Sequence, residues 1–173
     1  TALTDVTFPS VLTAIGDSAF RQCRGLTAAA LPDTVETIGL YAFSGCTALR
    51  DVTFPAALQT LGTSAFQNCE SLKSAHLSDS LESIGYHVFS GCSELESASL
   101  PDTITIIPKG LFENCGALKD FEMPPQVTVI SQSAFYQCGE LFFPVLPDSL
   151  TEIQSNAFYR TKGVRTLKLS NSC

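Results

Sequence analysis

The apolar positions along the chain recur with a single period of 23 residues. The columns are Phe20, Phe43, Phe66, Phe89, Phe112, Phe135 and Phe158; Cys23, Cys46, Cys69, Cys92, Cys115 and Cys138; and Ile15, Ile38, Leu61, Ile84, Ile107, Ile130 and Ile153. The shared pattern is L-x-x-V-x-L-P-x-x-L-x-x-I-G-x-x-A-F-x-x-C-x-x, and no insertion interrupts seven copies. A gapless period of this length predicts identical coils, each burying its apolar side against its neighbours.

Each copy predicts three elements. "LTDVTFP" and "LRDVTFP" indicate a short strand that ends at Pro, which has no N–H for a further ladder bond. The "xxLxxIG" segment predicts a tight turn and a second extended piece, in which Gly16, Gly39, Gly62 and Gly85 relieve a constrained backbone position. The "SAFxxC" segment predicts a short helical or 3₁₀ turn on the opposite side. Strands of successive coils would run parallel, about 4.8 Å apart.

The repeated Phe and Cys are interpreted as architecture. Coils stacked at about 5 Å bring successive Phe rings into the range of favourable offset contacts. A small inward-facing Cys suits a crowded turn, where its S–H can reach a backbone carbonyl. Some copies differ from the shared pattern. Pro108, Ser131 and Gln154 replace the Gly, Ser78 replaces a Pro, and Thr161 stands where a seventh Cys is due.

Composition and charge exclude several classes of protein. With 173 residues, 45% hydrophobic and 16% charged, the chain is long and apolar enough for a substantial core. A net charge of −7 disfavours nucleic acid as a partner. No apolar run approaches the roughly 20 residues that cross a bilayer, so direct membrane insertion is not expected. Since "TALTDVTF" has neither a starting Met nor a signal peptide, we expect a mature product or a fragment.

The repeat resembles the BspA-like leucine-rich repeat, most plainly in "LPDTVETIGLYAFSGCTAL", and the resemblance covers essentially the whole chain. It implies a leucine-rich-repeat solenoid of seven full coils and a final partial strand. We expect residues 1–173 to form one such domain, belonging to a longer array. The resemblance also implies a surface or secreted protein of adhesive function, with no catalytic residues and no cofactor.

The cysteines and histidines do not show the spacing of a metal site or a catalytic pair. Zinc is disfavoured because structural sites use ligands two to four residues apart, unlike the 23-residue step here. Two alternatives remain for the cysteines: disulfides between neighbouring coils, or free buried thiols. We favour free thiols. Cys173 is out of phase and is the one thiol expected to be exposed. His76 and His87 lie in different columns, so a shared metal or catalytic pair is not expected. No motif of a hydrolase, zinc protease or phosphate loop occurs.

Partner contacts are expected where side chains vary on outward strand positions. The candidate residues are Arg50, Lys73, His76, Lys119, Glu122, Phe142, Phe143 and Val145. Phe142, Phe143 and Val145 replace residues that are polar in nearly every other copy. Exposed aromatic side chains on a rigid face are candidate hot spots, although a flanking segment or cap could equally cover them.

These observations favour a non-enzymatic protein-binding module of adhesive or recognition type. Its partner would be a host or matrix protein. The alternative is a structural scaffold subunit, whose aromatic patch is buried against neighbouring subunits in a permanent assembly. A soluble isolated monomer would favour the first hypothesis, and aggregation relieved only by a partner would favour the second.

Overall fold

A computed structural model describes residues 3–142 and 146–162 of the chain. These residues form a parallel-strand solenoid of about six turns. The predicted seventh coil, residues 141–163, is therefore only partly described. The predicted partial strand after it lies outside the described residues.

Twelve short strands line two sides of the solenoid. They are β1 (Ala14–Ile15), β2 (Ala28–Ala30), β3 (Thr37–Ile38), β4 (Asp51–Thr53), β5 (Thr60–Leu61), β6 (Ser74–His76), β7 (Ser83–Ile84), β8 (Ser97–Ser99), β9 (Ile106–Ile107), β10 (Asp120–Phe121), β11 (Val129–Ile130) and β12 (Glu152–Ile153). All pairings are parallel and join residues one repeat apart, as in Ala28↔Asp51 and Thr37↔Thr60. Both predicted extended segments of the repeat are thus confirmed.

The even-numbered strands up to β10 form the first side, and the remaining strands form the second. On the first side β2 pairs with β4, and β6, β8 and β10 pair in order. On the second side β1, β3, β5 and β7 form one sheet, whereas β9, β11 and β12 form another. The first side is therefore interrupted between β4 and β6, and the second side between β7 and β9.

The Pro that ends each first-side strand also starts a turn. The Val35 N–H donates to the Pro32 carbonyl at 3.0 Å, and the Leu58 N–H donates to the Pro55 carbonyl at 3.2 Å. Ser78, which replaces Pro in the fourth coil, accepts the same bond from Leu81 at 3.2 Å. The turn depends on the carbonyl at this position, so Ser serves there as well as Pro.

The third side of the solenoid, built from the "SAFxxC" segments, is not helical. The predicted helical or 3₁₀ turn is not confirmed, because residues 3–142 and 146–162 contain only turns there. Within a coil, the Cys23 N–H donates to the Phe20 carbonyl at 3.1 Å. The Phe20 N–H, however, donates to the Ala42 carbonyl of the next coil at 2.7 Å. Donors that alternate between the coil and its neighbour cannot also build the consecutive bonds of a helix.

Two columns of left-handed residues accompany this alternation. The first is Ser18, Tyr41, Ser64, His87, Gly110, Ser133 and Asn156; the second is Gln22, Gly45, Asn68, Gly91, Asn114, Gln137 and Arg160; φ lies between 54° and 77° in all of them. A left-handed residue ends any right-handed helical run. With one such residue before each Ala-Phe pair and another before each Cys position, no helix can propagate.

The Phe column fills the core as predicted. Phe43, Phe66, Phe89, Phe112 and Phe135 are fully buried. Their rings stack with centroids 5.1–5.9 Å apart and interplanar angles of 8–22°. The stack is tighter in the early coils, at 5.1 Å between Phe43 and Phe66, than between Phe66 and Phe89, at 5.9 Å. The ring of Phe54 contacts both Phe66 and Phe89 at this junction.

The Gly column packs closely against the neighbouring coil. A Cβ at Gly62 would lie 2.6 Å from the carbonyl carbon of Gly39, and one at Gly85 would collide with the backbone of Thr63. Neither residue has a positive φ. The constraint predicted for these glycines is therefore the approach of the preceding coil.

Candidate interaction surface

The outward side of β2, β4, β6, β8 and β10, here called the strand face, carries the predicted contact residues. Arg50, Lys73, His76, Lys119 and Glu122 are all exposed. Their predicted outward orientation is thus confirmed. Phe142 lies one repeat after Lys119, in the same column, and is 58% exposed. Phe143 and Val145 lie outside the described residues.

Charged side chains of successive coils pair across the centre of the strand face. Lys73 Nζ lies 2.8 Å from Glu94 Oε2 and 3.8 Å from Glu96 Oε1, and Lys119 Nζ lies 2.9 Å from Glu96 Oε2. The hydrogen bond from Lys73 lowers the pKa of Glu94, and the bond from Lys119 lowers the pKa of Glu96. Such exposed pairs contribute little to stability. Because these side chains remain 46–53% exposed, a partner protein can still contact their charged groups.

His76 has polar neighbours on the adjacent strand. Its Nδ1 lies 3.0 Å from Ser99 Oγ, and its Nε2 lies 3.3 Å from Ser97 Oγ. His87 lies elsewhere, on the third side, with Nδ1 3.2 Å from Glu113 Oε2. The two histidines are on different sides of the solenoid, as their columns predicted. No group of three His, Cys, Asp or Glu in the described part of the chain is arranged to hold a metal ion.

A shallow depression of about 1170 Å³ joins three of the predicted residues. Lys119, Glu122 and Phe142 all line it. Met123 and Pro124 add apolar surface beside the Phe142 ring. The structure thus brings a cation, an anion and an exposed aromatic ring to one concave part of the strand face, while Arg50, Lys73 and His76 lie outside it.

The cysteine ladder is buried and makes regular contacts. Each thiol donates to the carbonyl of the Phe in the preceding coil: Cys46 to Phe20, Cys69 to Phe43, Cys92 to Phe66, Cys115 to Phe89 and Cys138 to Phe112, at 3.0–3.2 Å. The predicted bond from S–H to a backbone carbonyl is confirmed. All six cysteines of the ladder are free in this structure, the state that we favoured. Cys173 lies outside the described residues.

Burial makes these thiols poor nucleophiles. Loss of solvation raises the pKa of Cys46, Cys92 and Cys138 to about 12 and that of Cys69 and Cys115 well above its ordinary value. Only a thiolate attacks or binds metal readily. Thr161 occupies the next position of the ladder, and its hydroxyl lies 3.4 Å from the Phe135 carbonyl, so a residue without sulfur fills the same role.

Two features escaped sequence reasoning. The first is the interruption of the second side between β7 and β9, although Pro108 in the Gly column is a visible signal. The second is exposed apolar surface beside it: Tyr86 is 59% exposed and Ile106 50% exposed. Ile106 takes a strand position held by Thr37 and Thr60 in earlier coils, and that substitution is the signal that was available.

A smaller aromatic patch lies on the third side. Tyr136 and Tyr159 stack with centroids 5.1 Å apart and an angle of 14° between their planes. Arg160 lies over the Tyr159 ring, with its guanidinium carbon 5.4 Å from the centroid. Tyr159 remains 47% exposed. This patch is separate from the strand face.

Comparison with known proteins identifies the repeat. The family model "BspA type Leucine rich repeat region" matches six copies over residues 1–117 and 59–173. A leucine-rich cell surface protein of Faecalibacterium prausnitzii is 32% identical, with a TM-score of 0.83 over 94% of this chain and 45% of that one. A leucine-rich repeat protein of Bacteroides ovatus is 28% identical, with a TM-score of 0.69 over 87% of this chain and 45% of that one.

A third solved structure, the leucine-rich repeat protein TpLRR of T. pallidum, is 30% identical, with a TM-score of 0.59 over 75% of this chain and 72% of that one. The chain thus spans less than half the length of the Faecalibacterium and Bacteroides proteins. A search of curated protein sequences finds no match. No helix among the described residues is long and apolar enough to cross a membrane. The chain belongs to the BspA-type leucine-rich repeat family.

Proposed function

We propose that this chain is a non-enzymatic recognition module that binds a partner protein through the strand face. Leucine-rich repeat proteins generally mediate protein–protein interactions. The observation that supports this function best is Phe142, whose ring is 58% exposed beside the depression lined by Lys119 and Glu122. An aromatic side chain held on a rigid surface buries a large area on binding at little cost in conformational entropy.

The proposed contact surface has an aromatic anchor with charged surroundings. Phe142, with Phe143 and Val145 beside it in the sequence, provides the apolar centre. Lys119 and Glu122 flank it, and the surface continues along the strand face through Arg50, Lys73 and His76. His76 lies on a paired strand, and Arg50, Lys73, Lys119 and Glu122 directly flank paired strands, so these residues need little reorganisation on binding.

The proposed setting is the cell surface or the extracellular space, with an adhesive role. The Faecalibacterium relative is a cell surface protein, and the similarity to it covers 94% of this chain. We also propose that residues 1–173 form one domain of seven full coils and a partial strand, within a longer array.

Phe142→Ser, alone and with Phe143→Ser, should weaken partner binding at least tenfold and leave the thermal unfolding midpoint almost unchanged. The measurement is quantitative capture of partners from extracts of the native source, followed by titration of the captured protein. Tyr159→Ser is the matched control, because Tyr159 is also an exposed aromatic residue, at 47%, but lies on the third side. Equal capture by wild type and Phe142→Ser would contradict the proposal. A lowered unfolding midpoint would instead place the ring in the core of the chain.

A further inference from the structure

The second side of the solenoid is open between β7 and β9, while the other two sides continue past this point. On the first side, β6, β8 and β10 pair without a break. On the third side, the His87 N–H donates to the Lys109 carbonyl at 2.9 Å. The interruption is therefore local to one side of a single junction between coils.

Pro108 accounts for the interruption. In the coils before and after, the residue at this position donates to the preceding coil: Gly85 to the Leu61 carbonyl at 2.8 Å, and Ser131 to the Ile107 carbonyl at 3.0 Å. Pro108 has no N–H to give to the Ile84 carbonyl.

The open junction leaves backbone groups of both strands without partners. In the third coil, the Gln59 carbonyl accepts hydrogen bonds from Glu82 and Ser83 at 2.9 and 3.0 Å. The corresponding bonds, from the N–H groups of Thr105 and Ile106 to the Glu82 carbonyl, do not form between the described coils. The junction thus presents carbonyl acceptors on one edge and N–H donors on the other, as an unpaired strand edge does.

An apolar groove of about 1000 Å³ overlies this junction. Ile84, Tyr86, Ile106 and Val129 contribute its apolar lining. Tyr86 and Ile106 are 59% and 50% exposed, which leaves large apolar area in contact with water. Ile106 and Val129 pair on adjacent strands, so their side chains lie on the same outward surface.

The charges of the groove are predominantly acidic. Asp79, Glu82 and Glu152 line it, against Lys109 as the one cation among its lining residues. All four are exposed. A bound segment that carries Lys or Arg beside its apolar side chain would therefore be attracted, whereas an acidic segment would be repelled.

We propose that the groove between β7 and β9 binds an extended segment of a partner protein, with an apolar side chain flanked by Lys or Arg. The apolar side chain covers Ile106 and Tyr86, and the basic side chains reach Glu82 and Glu152. The main chain of the segment supplies donors and acceptors to the backbone groups left unpaired at the junction, as in recognition by strand addition. This site is separate from the strand face and does not depend on the function proposed for it.

The test is selection from a phage-displayed library of random 12-residue peptides on the intact chain, followed by fluorescence anisotropy with the enriched peptides. We expect enriched peptides that combine an aliphatic or aromatic residue with Lys or Arg. Ile106→Thr should weaken their binding at least tenfold, and Glu82→Lys should also weaken it. Phe142→Ser, on the strand face, should leave it unchanged. Ile106→Thr introduces the residue that Thr37 and Thr60 already provide in other coils, so the fold is expected to tolerate it.

Four results would overturn the proposal. One is a selection that enriches no peptide over the Ile106→Thr chain. Another is a set of enriched peptides that are acidic or that bind Ile106→Thr as tightly as wild type. The third is unchanged binding of basic peptides to Glu82→Lys, whose charge reversal requires no change in the apolar groove. Loss of binding in Phe142→Ser alone would assign the peptides to the strand face instead.

Discussion

Phe89→Ala is expected to lower the free energy of unfolding by about 3–5 kcal/mol, the range measured for large aromatic truncations in cores. Phe89 is fully buried, and its ring stacks on Phe66 at 5.9 Å and on Phe112 at 5.8 Å. Phe54 also contacts it edge-on at 6.0 Å. The substitution therefore removes three ring contacts and leaves a cavity in the middle of the stack. Urea or guanidinium unfolding, followed by circular dichroism, measures the change.

Phe142→Ala is the matched control for this prediction. It makes the same chemical change at a ring that is 58% exposed. There it should cost less than about 1 kcal/mol, since little burial is lost. A loss below about 1 kcal/mol at Phe89 as well would contradict the role assigned to the stacked rings.

Raising the pH from 9 to 12 is expected to destabilise the fold steeply. Burial raises the pKa of Cys92 from an ordinary 9.0 to about 12, and Cys46 and Cys138 shift equally. Above pH 9 the unfolded chain loses its thiol protons while the folded chain keeps them, so the unfolded state is favoured. The contribution of these thiols to the free energy of unfolding is fully present below pH 9 and is lost as the pH approaches 12. Each thiol contributes a slope of about 1.4 kcal/mol per pH unit.

Cys92→Thr isolates this effect from other alkaline titrations. Thr161 shows that threonine fits the ladder, because its hydroxyl lies 2.7 Å from the Phe158 carbonyl and 3.4 Å from that of Phe135. Between pH 9 and 11, wild type should lose about 1 kcal/mol more per pH unit than Cys92→Thr. Urea unfolding at several pH values gives both curves. Parallel curves would show that Cys92 is not a buried neutral thiol.

Sequence reasoning predicted the coils, the strands and the core because these follow from residues that recur at the same phase. The Phe and Ile columns face inward in most coils, with Ile153 at 38% exposure as an exception, and stacking then determines their neighbours. The same reasoning placed Lys119, Glu122 and Phe142 on one outward side. That they line a single depression, together with Met123 of the apolar column and Pro124 of the Pro column, depends on how the fifth, sixth and seventh coils stack, which the sequence pattern does not specify.

The left-handed columns could not be predicted in this way. One contains Ser18, Tyr41, His87 and Asn156, which share no chemistry that would mark a positive φ. The backbone there follows from hydrogen bonds to the next coil, a tertiary cause that overrides the helical appearance of "SAFxxC". The open junction at Pro108 is a similar case. Its sequence signal is a single Pro in the Gly column. Its effect arises because the Ile84 carbonyl of the neighbouring strand loses its N–H donor.

The most direct test of the stacked ladder is thiol modification of the native chain by iodoacetamide, read at each cysteine by mass spectrometry. Cys46, Cys69, Cys92, Cys115 and Cys138 should resist labelling in buffer at pH 8 and should all react together once denaturant unfolds the chain. Rapid labelling of any of these five thiols, while circular dichroism still shows the folded protein, would contradict the assignment of the repeated cysteines to the core.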